Sequence, residues 1–446
     1  MNIILLSGGS GKRLWPLSND VRSKQFLKIL KKSDGTYESM VQRMYRMICE
    51  VDPTASVTIA TSGNQVASIH SQLGEDIGIS VEPCRRDTFP AIALATAYLH
   101  DVKGVSEDET VIVCPVDPYV ELEYFQMLKR LDERAKTSDA GLVLMGIEPT
   151  YPSEKYGYII PKTSDSISAV ETFKEKPDVE TAEEYIKEGA LWNAGVFAYK
   201  LGYVLDIAGS VLGKSAYSEL YNDYENLTKI SFDYAVVEKE PHIEVMRFSG
   251  AWKDLGTWNT LTEAMSDEVS GNAVTAYCEN THVINELQIP LVALGVKNVA
   301  IAATPDGILV TDKDESAKLK DYVSEQRPMY EERVWGEYKV LDYRIQNDGQ
   351  NFLTKHLIIS PGKHISYQMH AHRTEMWTCV DGTGKIIVDG EISEMKRGDT
   401  TYIKPGTKHA IMAVSELHII EVQIGDELTE EDIERLDWDW STMGDE

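Results

Sequence analysis

The 446-residue sequence contains no apolar run near the roughly 20 residues that a membrane-spanning helix requires. Its first residues, Met1–Leu6, lack a basic start and meet glycines at once, so they do not predict a signal peptide. The five cysteines are scattered and form no CxxC pair, which is typical of reduced thiols. Together these absences predict a cytoplasmic protein.

Positive charge is also scarce. The sequence has 44 Lys and Arg against 72 Asp and Glu, which gives a formal net charge of −28. Because so acidic a surface repels polyphosphate backbones, nucleic acids and membrane surfaces are unfavourable partners. A small anionic substrate would therefore need a local cluster of lysine, arginine or metal.

The composition is that of an ordinary globular protein, with 42% hydrophobic and 26% charged residues. The length of the chain predicts two or three domains. Over 1–270, short apolar runs alternate with amphipathic helical stretches. This pattern predicts an α/β domain with a mixed, mostly parallel sheet covered on both faces. Its predicted strands include Ile3–Leu6, Val57–Ala60, Ile79–Glu82, Val111–Cys114 and Leu142–Gly146. Ligands of such sheets bind beyond the carboxyl ends of the strands.

The pattern changes twice after the first domain. Residues 271–330 predict a short β-rich connecting domain, in which Asp312–Asp321 is expected to form an exposed helix. Residues 331–446 contain strand-length apolar runs and frequent glycine, which predicts a third, β-rich domain. The acidic tail after Asp426 predicts a short solvated helix to which we assign no function.

A glycine-rich loop, Ser7–Arg13, directly follows the first predicted strand. Its glycines allow backbone amides to approach phosphates closely, and Lys12 and Arg13 add positive charge at the same turn. The loop matches neither GxxxxGK[ST] nor GxGxxG, because Leu14 stands where the last glycine of the second pattern belongs. A purely structural turn is the alternative.

Longer motifs surround this loop, namely Leu14-Trp15-Pro16-Leu17-Ser18 and Ser23-Lys24-Gln25. Further segments follow in order: Glu82–Thr88, Pro90–Ala95, Pro115–Asp117, Tyr156–Ile159, Phe173–Pro177, Trp192–Phe197, Phe232–Lys239 and Trp252–Trp258. The set resembles the sugar-1-phosphate nucleotidyltransferases, most closely the mannose-1-phosphate guanylyltransferase branch. The resemblance implies a Rossmann-like nucleotidyltransferase domain that uses GTP, mannose 1-phosphate and Mg²⁺.

The chemistry of that reaction fits the residues present. A sugar phosphate oxygen, already an anion at pH 7, attacks the α-phosphorus of a nucleoside triphosphate and pyrophosphate leaves, so no general base is needed. Catalysis then depends on alignment and on neutralising charge between two anions. Because Mg²⁺ takes one or two carboxylates plus phosphate oxygens, Asp117 and Asp254 are its predicted ligands.

The resemblance also implies roles for individual residues. The nucleotide would be bound by Leu6, Gly8, Gly9, Gly11 and Arg13. Catalysis would depend on Arg13, Lys24, Asp117 and Asp254. The sugar phosphate would be bound by Tyr156, Gly157, Glu175, Lys176 and Asn193. The alternatives are that Asp117 caps a turn before Pro118 and that Lys176 is a solvated loop lysine.

Two departures from the family pattern lie near the expected nucleotide pocket. Pro118 follows Asp117 where the family usually has histidine, and Arg86–Phe89 replaces a more usual Arg-Asn-Thr-Ala. The reaction type stands, while the base and the sugar 1-phosphate stay open.

Histidines cluster in the third domain. On one strand, His370 and His372 would point to the same face, Glu375 would swing to it after a turn, and His409 would approach from a facing strand. Three imidazoles and a carboxylate suit a divalent metal such as Zn²⁺. The pattern resembles the cupin β-barrel of phosphomannose isomerases fused to guanylyltransferases. A cupin whose histidines only form hydrogen bonds is the alternative.

Isomerase activity is expected to be weak or absent. Ala410 follows His409 where the fused isomerases usually have arginine, and Met376 replaces a usual histidine. The absence of this arginine would lower the affinity for a sugar phosphate. A bifunctional enzyme and a non-catalytic sugar-nucleotide-binding protein are the other interpretations, and a homodimer is possible.

Overall fold

The computed structural model describes residues 1–9, 12–19, 22–324, 327–346, 351–438 and 440. Gly11, one of the predicted nucleotide-binding residues, lies outside them. Among the described residues, none of the helices combines the length and the apolar character needed to cross a membrane.

The first part of the chain is an α/β structure. Its elements are, in chain order, β1 (Asn2–Ser7), β2 (Leu30–Lys31), β3 (Tyr37–Glu38), α1 (Met40–Val51), β4 (Ser56–Ser62), α2 (Val66–Leu73), β5 (Gly78–Glu82), α3 (Thr88–Asp101), β6 (Thr110–Pro115), β7 (Pro118–Val120), α4 (Leu122–Thr137), β8 (Leu142–Ile147), β9 (Tyr158–Pro161), β10 (Ile167–Lys174), α5 (Val179–Lys187), β11 (Leu191–Lys200), α6 (Leu201–Leu212), α7 (Tyr217–Asn222), β12 (Ile243–Phe248), β13 (Trp252–Asp254) and α8 (Trp258–Ala264). The five strands predicted for this part are all present.

Nine of these strands form one mixed sheet in the order β5-β4-β1-β6-β11-β8-β12-β10-β9. β5, β4, β1 and β6 are parallel, whereas β11 runs antiparallel to both its neighbours, β6 and β8. The pairings within this sheet include four parallel and five antiparallel ones, so the sheet is more evenly mixed than the sequence predicted. β9 also pairs with β11, which closes the last five strands into a ring.

Alternation along β1 explains why helices cover both faces of the sheet. Ile3 and Leu5 point into one core, which α1 and α4 complete, whereas Ile4 points into the other core, which α3 and α6 complete. The sheet is therefore buried between two helical layers. This leaves the carboxyl ends of its parallel strands, and the loops that follow them, as the place for a ligand.

The middle of the chain is a set of short parallel and antiparallel strands. They are β14 (Val269–Gly271), β15 (Ala273–Ala276), β16 (His282–Asn285), β17 (Leu291–Leu294), β18 (Val299–Thr304) and β19 (Gly307–Asp312). The exposed helix expected at Asp312–Asp321 is wrong in its extent, because the helical turn covers only Ser316–Asp321. Lys313 is buried, since its ammonium group contacts Asn280 Oδ1 at 2.7 Å.

The C-terminal part consists of two facing β-sheets. Its strands are β20 (Tyr330–Arg333), β21 (Gly336–Arg344), β22 (Asn351–Ile359), β23 (Gln368–Met369), β24 (Arg373–Asp381), β25 (Thr383–Val388), β26 (Glu391–Lys396), β27 (Thr400–Ile403), β28 (His409–Ala413), β29 (Leu417–Gly425) and β30 (Glu434–Arg435). One sheet has the order β20-β21-β22-β29-β24-β27 and the other β26-β25-β28-β23-β30. Apolar residues of both sheets share one core, so the two sheets enclose a barrel-like interior.

The helix predicted for the acidic tail is wrong. The tail makes one helical turn at Glu430–Asp432 and then forms β30, which pairs with β23. The physical reason is Asp432, whose carboxylate accepts hydrogen bonds from the backbone amides of Ala371, at 2.9 Å, and His372, at 3.2 Å. The tail segment from Glu430 to Arg435 is therefore part of the barrel rather than a solvated helix.

Candidate functional site

A cavity of about 320 Å³ opens at the carboxyl ends of the parallel strands β1, β4, β5 and β6. Its lining residues are Leu6, Gly8, Gly9, Ala60, Ser62, Glu82, Cys84, Arg85, Asp87, Thr88, Ala91, Pro115 and Asp117. Leu6, Gly8, Gly9 and Asp117 were predicted from the sequence. Gly9 has a φ of +114°, a backbone conformation that strongly favours glycine.

One end of this cavity carries a cluster of opposite charges. The Lys24 ammonium group lies 2.9 Å from Asp117 Oδ2 and 3.6 Å from Asp254 Oδ1. Pairing of β7 with β13 places Asp254 opposite Pro118, the residue after Asp117, and so brings the two carboxylates together. The sequence motifs contained no sign of this pairing, because the two strands are only three residues long and distant along the chain.

The charge cluster suits a divalent cation. Burial raises the pKa of Asp254, Lys24 opposes the rise, and the nearby Asp117 carboxylate adds to it. Two neighbouring carboxylates at the edge of this cavity are a donor set that Mg²⁺ prefers. Arg13, whose side chain is exposed, adds a further favourable charge interaction with Asp254.

An aromatic wall continues from the carboxylates. The Tyr156 ring packs against Trp192 at 4.9 Å and Trp252 at 5.3 Å between ring centroids. Burial raises the pKa of Tyr156, and the negative charges of Asp254 and Asp117 raise it further, so the phenol faces the charged cluster. Tyr156 therefore lies where the expected sugar pocket meets the expected metal site.

The next residue, Gly157, leaves room for a carboxylate. A Cβ atom at this position would lie 2.5 Å from Glu175 Oε2 and 2.8 Å from the Phe173 ring, so no larger residue fits without displacing them. Glu175 forms an ion pair with Lys176, whose φ of +45° is unusual for a residue other than glycine. The structure thus brings three of the predicted sugar-binding residues together.

Asn193 joins the same cluster through its backbone and its side chain. Its backbone amide donates to the Gly157 carbonyl at 2.8 Å. Its side-chain Nδ2 donates to Asp233 Oδ1 at 2.7 Å, and its Oδ1 accepts from the Gly195 amide at 3.0 Å. The side chain of Asn193 is therefore held in one orientation by Asp233 and Gly195.

Asp233 is a site residue that sequence reasoning missed. It begins a short π-helical turn, Asp233–Val237. Burial raises its pKa to about 6, Glu175 adds to the rise, and Asn193 and Lys176 oppose it. The segment Phe232–Lys239 was noticed as a motif, but nothing in the sequence pattern distinguishes this acid from its exposed neighbours.

A second cluster lies inside the C-terminal barrel. One ligand atom from each of His370, Glu375 and His409 lies within 4.8 Å of the others, and all three residues are buried. His370 Nδ1 lies 3.2 Å from the Asp432 carbonyl oxygen, and His409 Nδ1 lies 2.9 Å from the Thr407 carbonyl oxygen. Because a carbonyl only accepts, both rings donate from Nδ1 and turn the lone pair of Nε2 towards Glu375.

These residues fit a divalent metal. His409 Nε2 is buried without a hydrogen-bond partner in the described structure, which is expected of a nitrogen that binds a metal. Neutral imidazoles fixed through Nδ1 together with a carboxylate are typical transition-metal ligands.

His372 does not join the cluster, contrary to the sequence prediction. The chain bends at residues 371–372 instead of continuing as a strand, so His370 and His372 do not share a face. His372 is exposed and lies 3.7 Å from Asp426. Arg373 takes the inner position, with Nε donating to Glu375 Oε1 at 2.9 Å and a terminal nitrogen 3.3 Å from His370 Nε2.

The cavity of the barrel is lined by both basic and acidic side chains, and several of them form ion pairs: Arg333 and Lys355 with Glu430, and Arg373 with Glu375. This cavity of about 80 Å³ is lined by residues that include the basic side chains of Arg333, Lys355, Arg373 and Arg435. Glu375 and Glu421 lie beside them. These four cations follow no motif in the sequence, in which only the absence of an arginine at position 410 bears on phosphate binding.

Two family models match this chain. Residues 2–271 match the family model described as nucleotidyl transferase, and residues 320–438 match mannose-6-phosphate isomerase C-terminal. The xanthan biosynthesis protein XanB of Xanthomonas campestris pv. campestris is 32% identical over 97% of this chain and 97% of its own length. The mannose-1-phosphate guanylyltransferase RfbM of Salmonella typhimurium is 30% identical over 97% of this chain and 96% of its own length.

A solved structure agrees as well. The crystal structure of a mannose-1-phosphate geranyltransferase from Thermus thermophilus superposes with a TM-score of 0.62 and 29% sequence identity, covering 72% of this chain and 97% of that chain. Proteins of these families use a nucleoside triphosphate, a sugar phosphate and divalent metals. The chain belongs to the nucleotidyl transferase family and carries a C-terminal mannose-6-phosphate isomerase domain of the cupin type.

Proposed function

We propose that the protein transfers GMP from GTP to mannose 1-phosphate and releases pyrophosphate, forming GDP-mannose. The observation that carries this proposal is the Lys24 ammonium group held between Asp117 and Asp254 at the mouth of the glycine-loop cavity. The family membership and the names of the full-length relatives support it.

The reaction needs charge neutralisation more than proton transfer. The attacking sugar phosphate is an anion near neutral pH, so the protein must hold it in line with the α-phosphorus against the repulsion of the triphosphate. Lys24 and Arg13 supply positive charge to the two phosphates. When bound, Mg²⁺ held by Asp117 and Asp254 would neutralise the charge that develops on the phosphate oxygens.

The sugar is held by the cluster around Gly157. Glu175 and Asp233 offer carboxylate oxygens to sugar hydroxyls, and Asn193 is fixed beside them by its bond to Asp233. Lys176 is close enough to Glu175 to form an ion pair and would turn to the sugar phosphate when it binds. Leu6, Gly8 and Gly9 would line the nucleotide, together with Gly11 in the part of the loop that is not described.

The direct test is pyrophosphate release from GTP and mannose 1-phosphate in the presence of Mg²⁺. We expect turnover with this pair and much slower turnover when ATP replaces GTP or glucose 1-phosphate replaces mannose 1-phosphate. A reaction without sugar phosphate controls for hydrolysis of GTP. No pyrophosphate from any pair of nucleotide and sugar phosphate would contradict the proposal and favour a non-catalytic binding protein.

A second candidate function, favoured by the isomerase domain and its buried histidine–carboxylate cluster, is isomerisation of mannose 6-phosphate. Arg333, Lys355, Arg373 and Arg435 line the cavity beside this cluster, and an anionic substrate would have to compete for them with Glu375 and Glu430, which pair with three of them. We propose Zn²⁺ or a similar divalent metal at His370, Glu375 and His409. When bound, the metal would polarise the carbonyl of the sugar.

The sequence nevertheless predicts weak or absent isomerase activity, and conversion of mannose 6-phosphate to fructose 6-phosphate decides the matter. The assay is run on the full chain before and after incubation with Zn²⁺, with elemental analysis of the same sample. Turnover at ordinary enzyme rates would show the prediction to be wrong and the enzyme to be bifunctional. If metal is bound but no turnover is seen, the result would support both the metal site in the cupin and the prediction of weak or absent isomerase activity.

The location of the protein in the cell and its oligomeric state remain predictions. The prediction of a cytoplasmic location rests on the scattered cysteines, and the prediction of a homodimer rests on the strand-rich regions 271–330 and 331–446.

A further inference from the structure

Arg22 connects the segment that carries Lys24 to the later parts of the chain. Its guanidinium donates from Nη1 to Glu286 Oε2 at 2.8 Å and from Nη2 to Glu286 Oε1 at 2.9 Å, and Glu286 directly follows β16 of the middle strands. The guanidinium carbon also lies 5.1 Å from the centre of the Tyr330 ring, which begins β20 of the barrel. Only 19% of the Arg22 side chain is exposed, so water competes weakly for these contacts.

Hydrogen bonds with Asn19 hold the backbone of Arg22. The Arg22 amide donates to Asn19 Oδ1 at 2.6 Å, and the Arg22 carbonyl accepts from the Asn19 amide at 2.9 Å. Asn19 Nδ2 in turn donates to Asp306 Oδ2 at 3.0 Å, and Asp306 lies between β18 and β19. The segment therefore contacts the middle strands at two points, Glu286 and Asp306.

Lys24 stands two residues after Arg22, with its ammonium group between the two carboxylates of the proposed Mg²⁺ site. The intervening Ser23 is buried, and its hydroxyl donates to the Gly9 carbonyl at 3.4 Å and accepts from Gln65 Nε2 at 2.8 Å. The backbone before Lys24 is thus attached to the glycine loop by Ser23 and to the middle strands by Arg22. Because a lysine side chain is long and flexible, the position of its ammonium group depends on a fixed backbone.

We propose that Arg22 is a positioning residue, whose ion pair with Glu286 keeps Lys24 directed at the reacting phosphates. The inference rests on the proposed function, because it takes Lys24 as a cation that neutralises those phosphates. A bidentate arginine–carboxylate pair suits this role, since its two parallel hydrogen bonds fix orientation as well as distance. Small displacements matter at such a site, because a misplacement of about 1 Å can lower a rate by about 100-fold.

A second ion pair joins the barrel to the transferase domain without contacting the segment that carries Lys24. The Lys363 ammonium group lies 2.7 Å from Glu75 Oε1, and Glu75 stands shortly after α2. If Arg22 only joined the parts of the chain, replacing either cation would have the same kind of effect. Lys363→Met is therefore the control for Arg22→Met, because both changes put an unbranched apolar side chain in place of a cation.

The test measures nucleotidyl transfer by the full chain from GTP to mannose 1-phosphate, well below the melting temperature of each variant. Arg22→Met should lower kcat by about 30-fold and leave KM for GTP within about threefold of wild type, because Lys24 acts on charge that develops in the transition state. Glu286→Gln, which keeps the shape of its side chain, should lower kcat by a similar factor. The double variant should be no slower than Arg22→Met alone, because the two residues act as a unit. Lys363→Met should stay within about twofold of wild type.

An unchanged kcat in Arg22→Met, even with a lower melting temperature, would overturn the inference, because the pair would then only join parts of the chain. Losses that multiply in the double variant, or a loss of equal size in Lys363→Met, would overturn it as well. If Arg22→Met does not fold, Glu286→Gln decides by the same criterion. If wild-type protein itself releases no pyrophosphate, the proposed function fails, whereas active wild-type protein with equally active variants refutes the role of Arg22 alone.

Discussion

Replacing Asp254 by asparagine is expected to lower kcat/KM for nucleotidyl transfer by about 1,000-fold, because a carboxylate that anchors a metal clamp supplies several kcal/mol of transition-state stabilisation. The change keeps the shape of the side chain and removes its negative charge. Asp254 also helps to hold Lys24, at 3.6 Å, so the cation that faces the phosphates loses one of its two carboxylate neighbours. The measurement is initial rate against Mg²⁺ concentration, and the apparent Mg²⁺ affinity should fall as well.

Asp267→Asn provides the matched control. Asp267 belongs to the same part of the chain, but it is paired at the surface with Lys31, at 3.0 Å, and with the Tyr37 hydroxyl, at 2.5 Å. Because exposed ion pairs contribute little, this variant should stay within about twofold of wild type. If Asp254→Asn kept near-normal turnover at low Mg²⁺ concentration, the proposal that this carboxylate holds the metal would be wrong.

The two carboxylates that we propose as Mg²⁺ ligands, Asp117 and Asp254, differ in how much of their position could be predicted from the sequence. Asp117 follows a buried apolar strand, so a general rule about parallel sheets already placed it at the ligand-binding edge. Asp254 follows no such strand. Only the pairing of β13 with β7 brings it to Asp117, and pairings between strands this short leave no periodic signal.

Buried acids were the main omission. Glu82 and Asp233 belong to a chain with 72 acidic residues, and in sequence they look like the many that are solvated. What distinguishes them is burial, which raises the pKa of both, and burial follows from packing that no local pattern specifies. Acids buried in this way are therefore identified from the structure and not from the sequence.

The errors in the cupin have a local cause. The prediction for His372 assumed an unbroken strand through His370, whereas Asp432 accepts hydrogen bonds from the backbone of the bend between them. The same contact refutes the solvated helix predicted for the tail. Both errors have the same cause, because a single aspartate from the acidic tail accepts hydrogen bonds from the backbone amides of Ala371 and His372.

The second large effect is expected in the cupin, where Glu375→Gln should destabilise the domain by about 3–5 kcal/mol. Glu375 is buried and accepts hydrogen bonds from Arg373 Nε at 2.9 Å, Trp377 Nε1 at 3.1 Å and Gln423 Nε2 at 3.2 Å. Glutamine turns one acceptor into a donor that faces other donors, and it leaves the buried Arg373 without its nearest counter-charge.

Glu421→Gln is the matched control, because Glu421 lies in the same interior and contacts the same Trp377 and Gln423. Burial and the repulsion from Glu375 raise the pKa of Glu421, so this carboxyl is closer to its neutral form, which glutamine imitates. Its loss should cost about 1–2 kcal/mol, as an ordinary hydrogen bond does.

Calorimetry with a chelator present measures the stability of both cupin variants without a contribution from metal binding. The melting transition of the cupin should fall by more than about 10 °C for Glu375→Gln and by clearly less for Glu421→Gln. Equal shifts would mean that the positive charge of Arg373 is balanced elsewhere. Asp432, 3.5 Å from the Arg373 guanidinium, would then be the residue to replace next.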